Sequence, residues 1–137
     1  MAQMSIQIID NCLSQDNHIK IKETLLGEEF PWFYIPYKVG EEGDSNNPLT
    51  DYQFIHGFYI EMAPKSPYIE VLNPILSVLS PAAILRIKAN LTPRSENIVN
   101  YEMHVDAENF KGKTAIYYVN NNDGYTSFED GSIVESK

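Results

Sequence analysis

The chain has 137 residues, 43% of them hydrophobic, which is enough for one domain with a core. Ten Lys and Arg against nineteen Asp and Glu give a formal net charge of −9. Without a Lys/Arg cluster, the basic face that nucleic-acid binding needs is not expected. The single cysteine, Cys12, allows neither an intrachain disulfide nor a thiolate metal cluster, which favours a cytoplasmic protein with Cys12 in a packing role. The first residues lack a basic start and a long apolar run, so neither a secretory signal nor a membrane association is predicted.

The N-terminal third predicts a strand, a helix and an aromatic edge strand. Three isoleucines over residues 6–9 favour a short opening strand. Residues 13–26 are polar with interspersed apolar positions, which predicts a surface helix ending at Gly27. The aromatic, proline-punctuated segment 30–37 predicts an edge strand packed on one face. Residues 40–48 have turn composition without an apolar anchor and predict a solvated connecting loop, with a lid over a pocket as the alternative.

The centre of the chain predicts a strand followed by a helix. Residues 54–60 are apolar and aromatic, as in a strand. Ser66 is a suitable helix N-cap, and Pro67 suits the first helical position. Apolar residues then recur at helical spacing, so we predict a helix with one buried face, divided at Pro74 and ending near Pro81.

From residue 84 the apolar period changes to two. This alternation predicts a strand with leucine, isoleucine and alanine on one face. The other face carries Arg86, Lys88 and Asn90. A solvated face is the default interpretation, and a face bordering a pocket for a dicarboxylate is the alternative.

The C-terminal segments predict more strands. Residues 98–105 form the next candidate strand, and residues 113–120, apolar on both faces, fit a strand buried between two sheets. The sequence Asn120-Asn-Asn-Asp-Gly124 favours a turn, because these residues tolerate positive φ. A further strand is expected to begin at Gly131.

The triplet His104-Val-Asp106 ends the predicted strand 98–105. Alternate side chains of a strand share a face, so His104 and Asp106 would both reach one metal ion. They would supply two of the three ligands of a 2-His-1-carboxylate triad, the ligand set of non-haem Fe(II) oxygenases. The third ligand is not evident, because His18 lies in a polar segment and is expected to be exposed. His56 has large apolar neighbours and is expected to be a hydrogen-bonded structural residue.

The wider context of this triplet resembles a known family. The pattern comprises Arg86-Ile-Lys-Ala-Asn90-Leu, Tyr101-x-x-His104-x-Asp106, Lys113-Thr-Ala-Ile-Tyr-Tyr-Val-Asn120 and Asn122-Asp-Gly-Tyr-Thr-Ser-Phe-Glu-Asp-Gly131. It resembles the Fe(II)/2-oxoglutarate-dependent dioxygenases, in particular the prolyl-hydroxylase-like group with its phage and marine bacterial members. The motifs cover about the last 50 residues, whereas the earlier part is similar in the order of its elements.

The resemblance implies roles for individual residues. It makes His104 and Asp106 ligands of Fe(II), and it places Tyr101 in the lining of the co-substrate pocket. Asn90 and Tyr117 would lie on strands that flank 2-oxoglutarate. The implied activity is oxidation of a C–H bond in a small-molecule or peptide substrate, with 2-oxoglutarate decarboxylated to succinate.

The resemblance also carries a departure from the family pattern. Family members place a distal histidine and a basic residue for the far carboxylate of 2-oxoglutarate beyond the point where Lys137 ends this sequence. We therefore expect the N-terminal part of such an enzyme, cut short or completed by another chain, and nearly inactive alone. A homodimer through unpaired strand edges around 113–120 and 126–134 is expected, and the alternative is a monomer in which the N-terminal helices close over the gap.

Helical signals first and hairpin signals after them predict an α+β, mainly β fold over a single domain, residues 1–137. Its core would be an incomplete double-stranded β-helix of the jelly-roll or cupin-like kind, with the N-terminal helices packed on the sheet. An alternative function is a non-catalytic jelly-roll binding or assembly domain. In that case His104 and Asp106 form an ordinary hydrogen-bonded pair, and segment 30–37 offers a partner surface.

Overall fold

The computed structural model describes residues 5–37, 47, 49–107 and 109–137. Its fold is mixed α/β, with antiparallel strand pairs and few helices, in agreement with the coarse prediction. The elements in chain order are α1 (Gln15–Leu25), β1 (Phe33–Ile35), β2 (Gln53–Ile60), β3 (Ala63–Pro64), a 3₁₀ helix (Ile69–Leu72), α2 (Asn73–Leu79), β4 (Ile87–Leu91), β5 (Tyr125–Ser127) and β6 (Ile133–Glu135). Within the described residues, no helix is both long and apolar enough to cross a membrane.

Helix α1 forms where the sequence predicts it. The Ser14 hydroxyl accepts a hydrogen bond from the Asn17 amide at 3.3 Å, which satisfies one of the free N–H groups at the helix start. Asp16 in the first turn and Lys22 in the last turn have the charges that the helix dipole favours at those ends. The chain leaves the helix at Leu26, immediately before Gly27.

The second helical segment is divided as predicted, but its predicted buried face is limited to Leu72 of the 3₁₀ helix, since α2 has no buried residue. The Ser66 hydroxyl accepts a hydrogen bond from the Tyr68 amide at 3.1 Å, and the 3₁₀ helix follows. Helix α2 then starts with Pro74 in its first turn, where a missing backbone N–H costs no helical hydrogen bond. It ends at Ser80, which adopts the left-handed conformation with φ of 47°.

The chain forms two compact units. The first contains the described residues up to Phe30 and Phe58–Ile87. It holds all the fully buried apolar side chains of the described residues: Ile21, Leu25, Phe30, Phe58 and Leu72. The ring of Phe30 lies 6.0 Å from that of Phe58 and 5.2 Å from that of Tyr68, centroid to centroid. This aromatic cluster and the two buried residues of α1 form the core of the first unit.

The second unit contains Pro31–Gly57 and Lys88–Lys137. Its fully buried described residues are polar, namely His56 and Ser136. Strand β1 pairs antiparallel with β2, with Tyr34 opposite Phe54, which confirms an edge strand within segment 30–37. Strand β4 also pairs with β2, and its alternating burial matches the predicted period of two. Hydrogen bonds and half-buried rings, more than a closed apolar core, hold this unit together.

Strands β5 and β6 form an antiparallel hairpin in the second unit, with Thr126 opposite Val134. In its turn the side chain and backbone N–H of Ser132 donate to the Asp130 carboxylate, and these bonds lower the pKa of Asp130. Gly131 has φ of 85°, a conformation that suits glycine. At the turn predicted for 120–124 the Gly124 amide donates a hydrogen bond to the Asn122 side chain at 2.8 Å, but none of these residues has the expected positive φ.

Three predicted strands are wrong. Residues 6–9, 98–105 and 113–120 have irregular backbone, and Ile8, Val105 and Ile116 are exposed. Alternating apolar residues form a strand only when a neighbouring strand supplies hydrogen bonds, and no strand pairs with these segments among the residues that the structure describes. The loop predicted at 40–48 lies, apart from Asn47, outside the described residues.

A candidate metal-binding pair

His104 and Asp106 lie in an irregular segment of the second unit, yet their side chains meet. The distance from His104 Nε2 to Asp106 Oδ1 is 3.5 Å. The His104 side chain is 51% exposed and that of Asp106 is 42% exposed. The two side chains therefore lie on the same side, as the sequence predicts, although the predicted strand is not formed. Both are exposed enough for ions in the solvent to reach them.

The hydrogen bond of the other ring nitrogen of His104 determines whether Nε2 carries a lone pair in the neutral ring. Nδ1 lies 3.2 Å from the backbone carbonyl oxygen of Glu102. Because a carbonyl oxygen only accepts hydrogen bonds, Nδ1 carries the proton in this arrangement. In the neutral ring, the Nε2 lone pair then faces the Asp106 carboxylate. A metal ion or a proton on Nε2 would join the two groups, and without either both are exposed enough for water to hydrate them.

The separation of the two atoms fits a shared metal ion. Metal–nitrogen and metal–oxygen bonds of about 2.0–2.2 Å place neighbouring ligand atoms roughly 3.0–3.5 Å apart. The observed 3.5 Å lies at the upper end of this range. Imidazole nitrogen and carboxylate oxygen suit divalent iron, manganese and zinc. The separation is compatible with two ligands of one metal ion, and equally with an ordinary ion pair.

A third ligand is not assembled in the described part of the chain. There, no group of three or more His, Cys, Asp or Glu side chains could hold a metal ion. His56 is 4% exposed, and its Nδ1 lies 2.7 Å from the Pro31 carbonyl oxygen. This contact confirms the structural role predicted for His56. His18, predicted to be exposed, is half-buried on α1.

The three residues expected around 2-oxoglutarate lie in the second unit with different surroundings. The Tyr101 hydroxyl donates a hydrogen bond to the Thr50 carbonyl oxygen at 2.9 Å. Asn90 is exposed on β4, and Tyr117 is half-buried in irregular backbone. Their contact with a common ligand stays a prediction.

The partner of Tyr101 is a feature that the sequence did not reveal. Thr50 belongs to a tight turn in which its amide and that of Asp51 donate to the Asn47 carbonyl oxygen. The Asp51 carboxylate in turn accepts a hydrogen bond from the Asn47 amide. A backbone carbonyl has no signature in a sequence, and Thr50 lies far from Tyr101 along the chain. The bond ties the segment that carries His104 to a defined turn.

The first unit has an open cleft of about 420 Å³ between α1 and α2. Its lining includes Cys12, which is half-buried as predicted, together with Asn17, Asn73 and Ser77. His104 and Asp106 do not line it, so the cleft adds nothing to the metal-binding pair.

Comparison of this chain with known protein families, with curated proteins and with solved structures finds no match.

Proposed function

We propose that this chain is a domain or fragment of an Fe(II)- and 2-oxoglutarate-dependent oxygenase, with His104 and Asp106 as two of the iron ligands. The observation that carries the proposal is the 3.5 Å separation of His104 Nε2 and Asp106 Oδ1. The tautomer set by the Glu102 carbonyl supports it, because this tautomer directs a lone pair toward the carboxylate. Substrates of such a domain are small molecules or peptides.

In this function His104 and Asp106 would hold Fe(II), which would supply the activation of O₂ beside 2-oxoglutarate for oxidation of a C–H bond. The residues of the chain would hold the metal ion and orient its ligands. The carboxylate of Asp106 supplies negative charge to the cation, and the Nδ1 contact fixes the plane of the His104 ring. The hydrogen bond from Tyr101 to Thr50 restrains the backbone three residues before His104. Asn90 and Tyr117 are proposed to border the co-substrate.

The fold proposed for this function is a double-stranded β-helix of the jelly-roll kind. The antiparallel pairs β1–β2 and β5–β6 are compatible with it, because such folds are built from antiparallel strands. A single domain over residues 1–137 completes the proposal.

The experiment that tests the function is binding of 2-oxoglutarate to the chain with and without Mn²⁺, which replaces Fe²⁺ without oxidation. We expect calorimetry to show binding of 2-oxoglutarate in the presence of Mn²⁺ and no binding in its absence. Glutarate is the matched control, since it has the same two carboxylates and lacks the keto group that chelates metal. Equal binding of glutarate and 2-oxoglutarate, or binding that ignores Mn²⁺, would refute the oxygenase proposal.

Turnover by the isolated chain is expected to be close to zero. Within the described residues the metal pair lacks a third protein ligand, so iron would be held loosely and 2-oxoglutarate poorly oriented. The assay is succinate formation from 2-oxoglutarate with Fe²⁺ and ascorbate. Robust succinate formation would contradict the two-ligand assignment.

The second candidate is a non-catalytic jelly-roll binding or assembly domain. The lack of a three-ligand group in the described residues favours it. His104 and Asp106 would then form a surface ion pair with a protonated imidazole, worth at most about 1 kcal/mol. Under this proposal neither Mn²⁺ nor 2-oxoglutarate binds.

We expect a homodimer through the C-terminal hairpin. Tyr125 on β5 and Ile133 on β6 expose 40% and 58% of their surface, and exposed apolar strands favour pairing with another chain. Light scattering at micromolar concentration should give twice the monomer mass. Ile133→Lys should restore the monomer mass, whereas Ile8→Lys, at an exposed isoleucine of the first unit, should not. A monomeric wild-type chain would contradict this prediction.

A further inference from the structure

Three aromatic rings form a cluster on one face of the β1–β2 pair. Tyr34 stands opposite Phe54 across the strands, and Tyr52 precedes Phe54 by two residues on the same face. The ring centroids of Tyr34 lie 6.0 Å from Tyr52 and 5.9 Å from Phe54, and those of Tyr52 and Phe54 are 6.3 Å apart. We call these residues the Tyr34 cluster. Its first member is 58% exposed, so an aromatic face is open to solvent.

The cluster lies beside a strand edge. β1 pairs with β2 on one side, and on its other side no strand pairs with it among the described residues. The backbone N–H and C=O groups on that side are of the kind that bind an added strand. Immediately before β1, the contact of His56 with the Pro31 carbonyl oxygen fixes the start of the edge. The edge and the cluster together provide hydrogen bonds and a ring surface for an extended segment.

The charge of the chain indicates what kind of segment would bind. The formal net charge is −9, so a cationic partner is attracted and an anionic one is repelled. Aromatic rings bind the side chains of arginine and lysine through cation–π contacts. Polyanionic nucleic acid is disfavoured because of this net charge.

We propose that the β1 edge and the Tyr34 cluster bind an extended basic segment of a partner protein. The segment adds a strand along β1, so its side chains point alternately to the two faces of the sheet. The arginine or lysine side chains on the face of the Tyr34 cluster pack on its rings. This interaction does not depend on the oxygenase proposal, because it uses neither His104 nor Asp106.

Fluorescence anisotropy with the full chain tests this surface. The probe is a short labelled peptide that alternates arginine and valine, at low ionic strength. We expect Tyr34→Ala to weaken its binding roughly five- to tenfold, and Tyr34→Phe, which keeps the ring, to bind nearly as the wild type does. Phe110→Ala is the matched control, since it removes another exposed ring of the second unit, and it should bind as the wild type does.

Two further peptides separate the parts of the proposal. A peptide with proline in place of valine lacks the backbone N–H donor at every second residue and should bind more weakly, and a peptide with glutamate in place of arginine should not bind. Equal binding of the arginine and glutamate peptides, or of the wild type and Tyr34→Ala, would overturn the proposal. A dimer that Tyr34→Ala dissociates would assign the surface to a second copy and would also overturn it.

Discussion

Replacing Phe58 with alanine is expected to lower the free energy of unfolding by about 3–5 kcal/mol. Phe58 is 1% exposed and packs against Phe30 in the core of the first unit. Its truncation removes buried apolar surface and leaves a cavity beside side chains that are already closely packed. Because domains are stable by about 5–15 kcal/mol, this one change would remove much of the stability. Urea denaturation followed by circular dichroism measures the loss.

Ile60→Ala is the control for Phe58→Ala. Ile60 lies two residues further along β2 and is 38% exposed, so its truncation should cost less than about 1 kcal/mol. Similar losses for both variants would contradict the position of the core. A small loss for Phe58→Ala would do the same.

The helices could be predicted because their signals are local. Ser14 and Ser66 accept hydrogen bonds from amides two or three residues away, and Pro74 acts through its own missing N–H. Such features are complete within a few residues of sequence, so the limits of α1 and the division before α2 follow from them. β2, β4 and β6 were also predicted, since each has a clear apolar pattern and a pairing partner.

The failed strand predictions have a common physical cause. Residues 98–105 have apolar alternation and residues 113–120 are apolar on both faces, but a strand depends on a distant partner that neither pattern specifies. The structure instead ties these segments through side chains. The Tyr125 hydroxyl bonds to Asn100, and that of Tyr118 bonds to Thr126. Single long-range bonds of this kind leave no periodic trace in the sequence.

The candidate site was predictable in part for a different reason. His104 and Asp106 are two residues apart, so their side chains can meet in extended backbone whether or not it belongs to a sheet. The surrounding contacts could not be predicted, because they involve the carbonyl oxygens of Glu102 and Thr50. The third ligand required by the family resemblance is not assembled within the described residues.

Loss of metal binding on removal of the His104 imidazole is the second large effect that we expect. Imidazole and carboxylate are the two protein ligands of the proposed site, so removal of either leaves one ligand and water. Loss of a group that only hydrogen-bonds to a metal ligand weakens metal affinity by about 10- to 100-fold, and removal of a ligand itself should cost at least as much. His104→Ala and Asp106→Asn should therefore both abolish measurable binding of a weakly held ion.

The metal site proposed at His104 and Asp106 is tested most directly by anaerobic calorimetric titration of Mn²⁺. The titration compares the wild type with His104→Ala, Asp106→Asn and His18→Ala. His18→Ala is the control, because it removes an imidazole from α1 in the first unit. We expect a weak binding signal for the wild type and for His18→Ala. We expect none for His104→Ala and Asp106→Asn. Equal binding by the wild type and His104→Ala would contradict the assignment of a metal site to His104 and Asp106.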